Sequence, residues 1–109
     1  MTRSPLSPST TEALHLLATA IRAGRIRRGW SIYDLAERVG VSHPTIVKVE
    51  RGDPTVAAGT LLEAAILVGV PLFDPDPAVR ARHQNHLTSE LALLPRAARG
   101  RRTRIDDDF

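Results

Sequence analysis

The side chains best placed to do chemistry in this sequence lie in the segment 43–51, where apolar and polar residues are spaced as on a helix. Ile46 and Val49 are three residues apart, so a helix would turn both toward a core. The other side of that helix would carry the remaining side chains: His43, Pro44, Thr45, Val47, Lys48 and Arg51. An exposed helix of this width fits the major groove of B-DNA, where each base pair presents its own pattern of donors and acceptors.

Several of these side chains have a definite partner on a base edge. Lys48 can donate hydrogen bonds to guanine O6 and N7, and Val47 or Pro44 can pack against the methyl group of thymine. His43 donates or accepts according to its tautomer. The segment therefore predicts a helix that reads base pairs.

Other kinds of site find little support. The chain has no cysteine, which excludes disulfides and cysteine-ligated metals. It also lacks a nucleophile motif, a glycine-rich phosphate loop and a pair of carboxylates in an apolar run. His83 and His86 have no third ligand nearby, so a polar helix surface is the favoured interpretation. We expect no enzymatic activity, no cofactor and no metal.

Composition predicts one globular domain. The 109 residues are 42% hydrophobic and 25% charged, as in ordinary soluble proteins. The longest apolar stretch, 61–70, is shorter than the about 18 residues of a membrane span, and residues 1–11 do not resemble a secretory signal. We therefore expect a cytoplasmic protein with no membrane association.

The arginines fall in two clusters, although the net charge is only +3. Such clusters are typical of a surface that binds a polyanion, but they also occur on surfaces that only contact solvent. The two clusters are Arg22, Arg25, Arg27 and Arg28, and Arg96, Arg99, Arg101, Arg102 and Arg104.

A first helix is predicted by Ser9 and Glu12, whose spacing is that of a capping box. It would run to about Arg28, before Gly29, and residues 1–10 would form a flexible lead-in. Its buried stripe would consist of Leu14, Leu17, Ala18, Ile21 and Arg25.

Two short helices follow. Ser31, with Asp34 three residues later, predicts the start of a second helix, which Gly40 would end in the left-handed conformation. Ser42 is the next cap residue, so a third helix over residues 43–50 would begin almost at once. Two short helices joined this tightly must cross at a steep angle.

Two more helices complete the prediction. A fourth would start at Thr55 or at Gly59–Thr60 and end near Val68, and its nearly continuous apolar character predicts burial on all sides. The dipeptide Asp76-Pro77 supplies a cap and a first helical residue for a fifth helix, which Pro95 would close.

The residues from Leu35 to Gly52 resemble the Xre, or phage-repressor-like, helix-turn-helix family. The resemblance lies in a small residue, a turn glycine and buried aliphatic residues at the family's spacing: Leu35-Ala36, Val39-Gly40-Val41-Ser42, Ile46 and Val49-Glu50-Arg51-Gly52. It extends over about residues 14–72 and implies an all-α fold of five helices.

The expected domain organisation follows from the helices and the resemblance together. Residues 11–73 would form the helix-turn-helix domain and residues 74–95 a C-terminal helix. Residues 96–109 would form a charged, disordered tail.

The resemblance also implies roles for individual residues. Arg25 and Glu50 would form a structural ion pair that ties the first helix to the third. Ile32, at the start of the second helix, would contact DNA phosphates together with Ser42 and Arg51. The base contacts would come from His43, Pro44, Thr45, Val47 and Lys48. Pro44 departs from the polar residue usual at its position, which predicts a hydrophobic contact there.

The outer segments resemble a HipB-type antitoxin, the DNA-binding partner of a HipA-like kinase toxin. They read SPLSPSTTEAL near the start, VGVPLFDPD after the fourth helix and DDDF at the end. The resemblance implies a bacterial repressor of its own operon that also holds the toxin inactive. A toxin-binding tail would consist of Ile105, Asp106, Asp107, Asp108 and Phe109, although the tail could instead contact the DNA backbone or be an unstructured end.

DNA binding by one helix-turn-helix offers few base contacts, so we expect a homodimer on double-stranded operator DNA with inverted half-sites. Leu87, Leu91 and Leu94 of the fifth helix are the candidate dimer surface, unless they pack onto their own domain. Two other functions stay open: a stand-alone regulator that answers a small ligand, and an adaptor that binds only proteins. The antitoxin and the stand-alone regulator both bind DNA, so each of these two functions would place the protein at the nucleoid.

Overall fold

The computed structural model describes residues 5–95. These residues form α-helices and no β-strand, as the all-α prediction required. They divide into two compact units, with the boundary between Leu72 and Phe73. The helices are α1 (Pro8–Arg27), α2 (Ile32–Val39), α3 (His43–Arg51), α4 (Ala58–Leu67) and α5 (Pro77–Leu93). The arginine cluster of residues 96–104 and the predicted toxin-binding tail, 105–109, lie outside the described residues.

The start of α1 differs from the prediction. Ser7, not Ser9, is the N-cap, and its hydroxyl oxygen accepts a hydrogen bond from the Thr10 amide at 3.2 Å. Pro8 takes the first helical position, where its missing N–H costs nothing because that group has no partner within a helix. The helix therefore includes residues 8–10, which were expected in the lead-in.

The capping box predicted for α2 is present. The Ser31 hydroxyl oxygen accepts from the Asp34 amide at 3.0 Å, and the Asp34 carboxylate accepts from the Ser31 amide at 2.8 Å. The hydrogen bonds from the Ser31 backbone and side chain lower the pKa of Asp34, because they favour the charged carboxylate. Gly40 ends the helix at φ +85°, in the left-handed region that favours glycine.

The core of the first unit is aliphatic and draws on all of its four helices. It joins α1, α2, α3 and the end of α4, with Trp30 packed at its edge. The buried core residues are Ile21, Leu35, Ala36, Ile46, Val49, Ala64, Ala65 and Val68. The buried residues of α2, Leu35 and Ala36, therefore meet those of α3 in one cluster, which sets how the two helices lie against each other.

The prediction that α4 is buried on all sides, which was based on its apolar composition, is wrong. Ala64 and Ala65 are fully buried, but Leu62 is 43% exposed and Ile66 is 62% exposed. The reason is that only one face of α4 packs against the first unit, toward α1 and α2. The helix begins at Ala58, and Ala57 at the N-cap has no side-chain hydrogen bond to offer.

The second unit contains α5. Asp76 is its N-cap and accepts from the Ala78 amide at 2.9 Å, with Pro77 at the first helical position as predicted. The helix contains no buried residue. None of the described helices is both long enough and apolar enough to span a membrane.

Candidate DNA-binding surface

The helix α3 is anchored on one side and open on the other. Ile46 and Val49 are 0% and 1% exposed in the core. The residues that face away from the core, which we call the outer face of α3, are His43, Pro44, Thr45, Val47, Lys48 and Arg51. Pro44, Lys48 and Arg51 of this face are exposed, and the other three are half-buried. The two anchors therefore hold a rigid helix whose outer face is available for contact.

An ion pair fixes the far end of α3 to α1. The Arg25 guanidinium donates to both carboxylate oxygens of Glu50, at 2.6 Å and 3.0 Å, and also to the Trp30 carbonyl oxygen at 2.8 Å. The two side chains are only 10% and 7% exposed. The hydrogen bond to Glu50 raises the pKa of Arg25 above its ordinary value. Residues 25 apart in the sequence are thus joined as the resemblance implied.

The start of α3 has an unusual arrangement of hydroxyl groups. Ser42 occupies the N-cap, but its side chain caps no backbone N–H group. Pro44 has no N–H to offer, and the Thr45 amide donates to the Ser42 carbonyl oxygen at 3.1 Å. The Ser42 hydroxyl instead pairs with the Thr45 hydroxyl at 2.9 Å. Both hydroxyl groups are therefore held together at the N-terminal end of the helix.

An aromatic pair that the sequence reasoning missed lies at the same end. The Tyr33 ring stacks on the His43 imidazole, with ring centroids 4.1 Å apart and an angle of 22° between the planes. Tyr33 is 68% exposed. The available signal was a large aromatic residue two positions after the Ser31 cap, at a position that α2 does not bury.

The turn after α3 carries a second ion pair. Arg51 Nη2 lies 3.5 Å from Asp53 Oδ2, and the Arg51 side chain is 64% exposed. Asp53 also accepts from the hydroxyl and the amide of Thr55, at 2.6 Å and 2.8 Å. The hydrogen bonds from Thr55 lower the pKa of Asp53, and the hydrogen bond from Arg51 lowers it by a smaller amount. The Arg51 side chain therefore lies open to solvent beside a turn that hydrogen bonds hold in place.

A shallow pocket of about 310 Å³ lies between α1, the start of α2 and the second half of α3. Its lining is Arg22, Arg25, Ile32, Val47, Glu50 and Arg51. The fold thus brings together three of the predicted contact residues, Ile32, Val47 and Arg51. It adds the exposed Arg22, which the prediction had counted only as part of a cluster. Because Glu50 is paired with Arg25, the positive charges of Arg22 and Arg51 dominate this pocket.

Metal ligation finds no geometric support in residues 5–95. No group of three or more histidine, aspartate or glutamate side chains there could hold a metal ion.

Comparison with known proteins identifies the domain type. No curated protein and no solved structure matches the chain. A family model described as Helix-turn-helix matches residues 21–74, which run from the middle of α1 to just beyond α4. Residues 21–74 are therefore similar to the helix-turn-helix family, which supports the resemblance to the Xre family.

Proposed function

We propose that this protein is a sequence-specific DNA-binding transcription regulator that inserts α3 into the major groove. The observation that carries this proposal is the division of α3 between the buried anchors Ile46 and Val49 and an accessible outer face. A helix held this way keeps its position while its outer side chains meet base edges. The match of residues 21–74 to the helix-turn-helix family supports the same function.

The base contacts are assigned to the outer face of α3. Lys48 donates to guanine O6 or N7, and the His43 imidazole hydrogen-bonds a second base. Pro44 and Val47 offer apolar surface to a thymine methyl, and Thr45 lies between them. A preference for particular base pairs follows from this mixture of one charged, one aromatic and two apolar contacts.

The phosphate contacts are assigned to groups around the outer face. Arg51 and the Ser42 hydroxyl lie at its two ends, and the backbone at the start of α2, near Ile32, is the third group assigned to a phosphate. Arg22, beside Arg51 in the same pocket, adds a positive charge. Such contacts strengthen binding to any sequence and weaken with added salt.

We further propose that the protein represses transcription as a homodimer. A two-fold dimer doubles the base contacts and requires inverted half-sites about 10 base pairs apart. Leu87 and Leu91 of α5 are 47% and 69% exposed, and they lie on one helix face with Val79 and His83. A second copy of this chain is the partner proposed for that face. Sedimentation should show a dimer in solution and two copies on each duplex.

Substitution of Lys48 and of Arg51 should have different effects on DNA binding. Lys48→Ala should weaken binding to the preferred duplex by about 1–3 kcal/mol and relax the choice of base at one position. Arg51→Ala should weaken binding to all duplexes alike and reduce the salt dependence by about one phosphate contact. Affinities on duplexes obtained by selection from a random library, and on single-base variants of them, measure both effects.

One control and one contradicting outcome accompany that measurement. The unchanged chain should lose affinity steeply as salt rises, which distinguishes DNA binding from a purely protein-binding adaptor. If both substitutions lower the affinity for every duplex equally, Lys48 does not read a base.

A second proposed role is that of a HipB-type antitoxin, with a HipA-like kinase toxin as partner. Its support is the resemblance of the outer segments, including residues 68–76 after α4. Deleting residues 105–109 should weaken binding to the kinase encoded beside this gene and leave DNA affinity nearly unchanged. Absence of such a neighbouring gene would favour a stand-alone regulator, and unchanged toxin binding after the deletion would rule out the tail as the docking segment.

A further inference from the structure

Tyr33 is an exposed aromatic residue that the base and phosphate contacts proposed above do not use. It is the second residue of α2, and His43, on which its ring stacks, is the first residue of α3. The contact therefore joins the starting points of the two helices that make the helix-turn-helix. Because 68% of Tyr33 is exposed, the ring contributes little to the core. The main effect of the contact is therefore on the position of the His43 side chain.

We propose that Tyr33 is a specificity-determining positioning residue, which holds the His43 imidazole in the orientation that meets a base edge. This inference rests on the proposed function and deepens it. The role is distinct from that of a base contact, because Tyr33 acts through His43.

The physical basis is pre-ordering of a side chain. A free histidine side chain rotates about two bonds and loses that freedom when it hydrogen-bonds a base. A stacked aromatic partner shifts the orientation equilibrium by about 2- to 12-fold. A hydrogen bond to the correct base depends steeply on its angle. Loss of the stack should therefore cost affinity for the correct base pair and leave the affinity for other base pairs nearly unchanged.

The Tyr33 hydroxyl provides a way to separate stacking from direct contact. Tyr33 is 68% exposed, so its hydroxyl is accessible to a phosphate oxygen. Tyr33→Phe removes the hydroxyl and keeps the stacked ring. Tyr33→Leu removes the ring and keeps most of the apolar volume.

The test begins with selection of preferred duplexes from a random DNA library by the full-length chain. Affinities are then measured on the selected duplex and on variants changed at each base pair. His43→Ala should abolish discrimination at one position. Tyr33→Leu should lower discrimination at the same position by about three- to tenfold. Adding Tyr33→Leu to His43→Ala should cause no further loss there, because coupled residues are not additive.

Two further variants complete the design. Tyr33→Phe keeps the stacked ring and should keep the discrimination, and any loss of affinity from the missing hydroxyl should be equal on all duplexes. Leu16→Ala, at a residue of α1 that is 71% exposed and outside the proposed binding surface, is the control and should match the unchanged chain.

A measurement without DNA tests the stack and the fold of each variant together. In proton NMR spectra the Tyr33 ring current should displace the His43 ring signals. The displacement should persist in Tyr33→Phe and disappear in Tyr33→Leu, with the signals of core methyl groups unchanged. His43 signals that are the same in Tyr33→Leu and in the unchanged chain would overturn the proposal.

The outcomes on DNA separate this inference from the function on which it rests. If the unchanged chain enriches no sequence, the proposed function fails and this inference with it. If it enriches a sequence but Tyr33→Leu leaves discrimination intact, or weakens every duplex equally, only the role of Tyr33 is overturned. Independent, additive effects of Tyr33→Leu and His43→Ala would overturn it as well.

Discussion

Replacing Glu50 by alanine should lower the free energy of unfolding by about 3 kcal/mol or more. The Arg25 guanidinium would keep its bond to the Trp30 carbonyl oxygen but lose both bonds to the carboxylate. Its charge would then be left in a site where only 10% of the side chain is exposed. For a domain of this size the melting temperature should fall by at least about 12 °C, measured by circular dichroism.

Two companion variants separate charge burial from general disruption. Arg51→Ala removes an ion pair whose arginine is 64% exposed, so the unfolding free energy should change by less than about 1 kcal/mol. The double variant Arg25→Met, Glu50→Leu removes both charges and should be more stable than Glu50→Ala alone, because no unpaired charge remains. A Glu50→Ala protein as stable as the unchanged chain would show that this pair does not tie α1 to α3.

Gly24→Ala should also be strongly destabilising, by about 2 kcal/mol. A methyl group at Gly24 would lie 2.5 Å from the Val68 carbonyl oxygen and 3.0 Å from the Val68 side chain. The nearest obstacle is backbone, so α1 and the end of α4 would have to move apart. This strain should exceed the gain of about 1 kcal/mol that alanine brings to a helix interior.

The matched control for that substitution is Gly59→Ala, because Gly59 also lies in a helix. A methyl group there meets nothing within 4 Å, so the unfolding free energy should stay the same or rise by up to about 1 kcal/mol. Chemical denaturation of both variants measures the difference. Equal stability of the two variants would contradict the close approach of α1 to the end of α4.

Local signals in the sequence predicted most of the helix boundaries. The cap formed by Ser31 and Asp34, the left-handed Gly40 and the Asp76 cap are all found where the sequence placed them. Each of these features depends on residues within about four positions of one another. The start of α1 was missed because Pro8 takes the first helical position, which makes Ser7 the N-cap two residues before Ser9.

The outer face of α3 was also readable from the sequence, since Ile46 and Val49 alone define which side is buried. Only the tertiary structure decided that one face of α4 stays exposed, that Gly24 touches Val68, and that Tyr33 stacks on His43. The physical reason is distance along the chain: caps and helical periodicity act between near neighbours, whereas these contacts depend on how separate helices cross in the folded core.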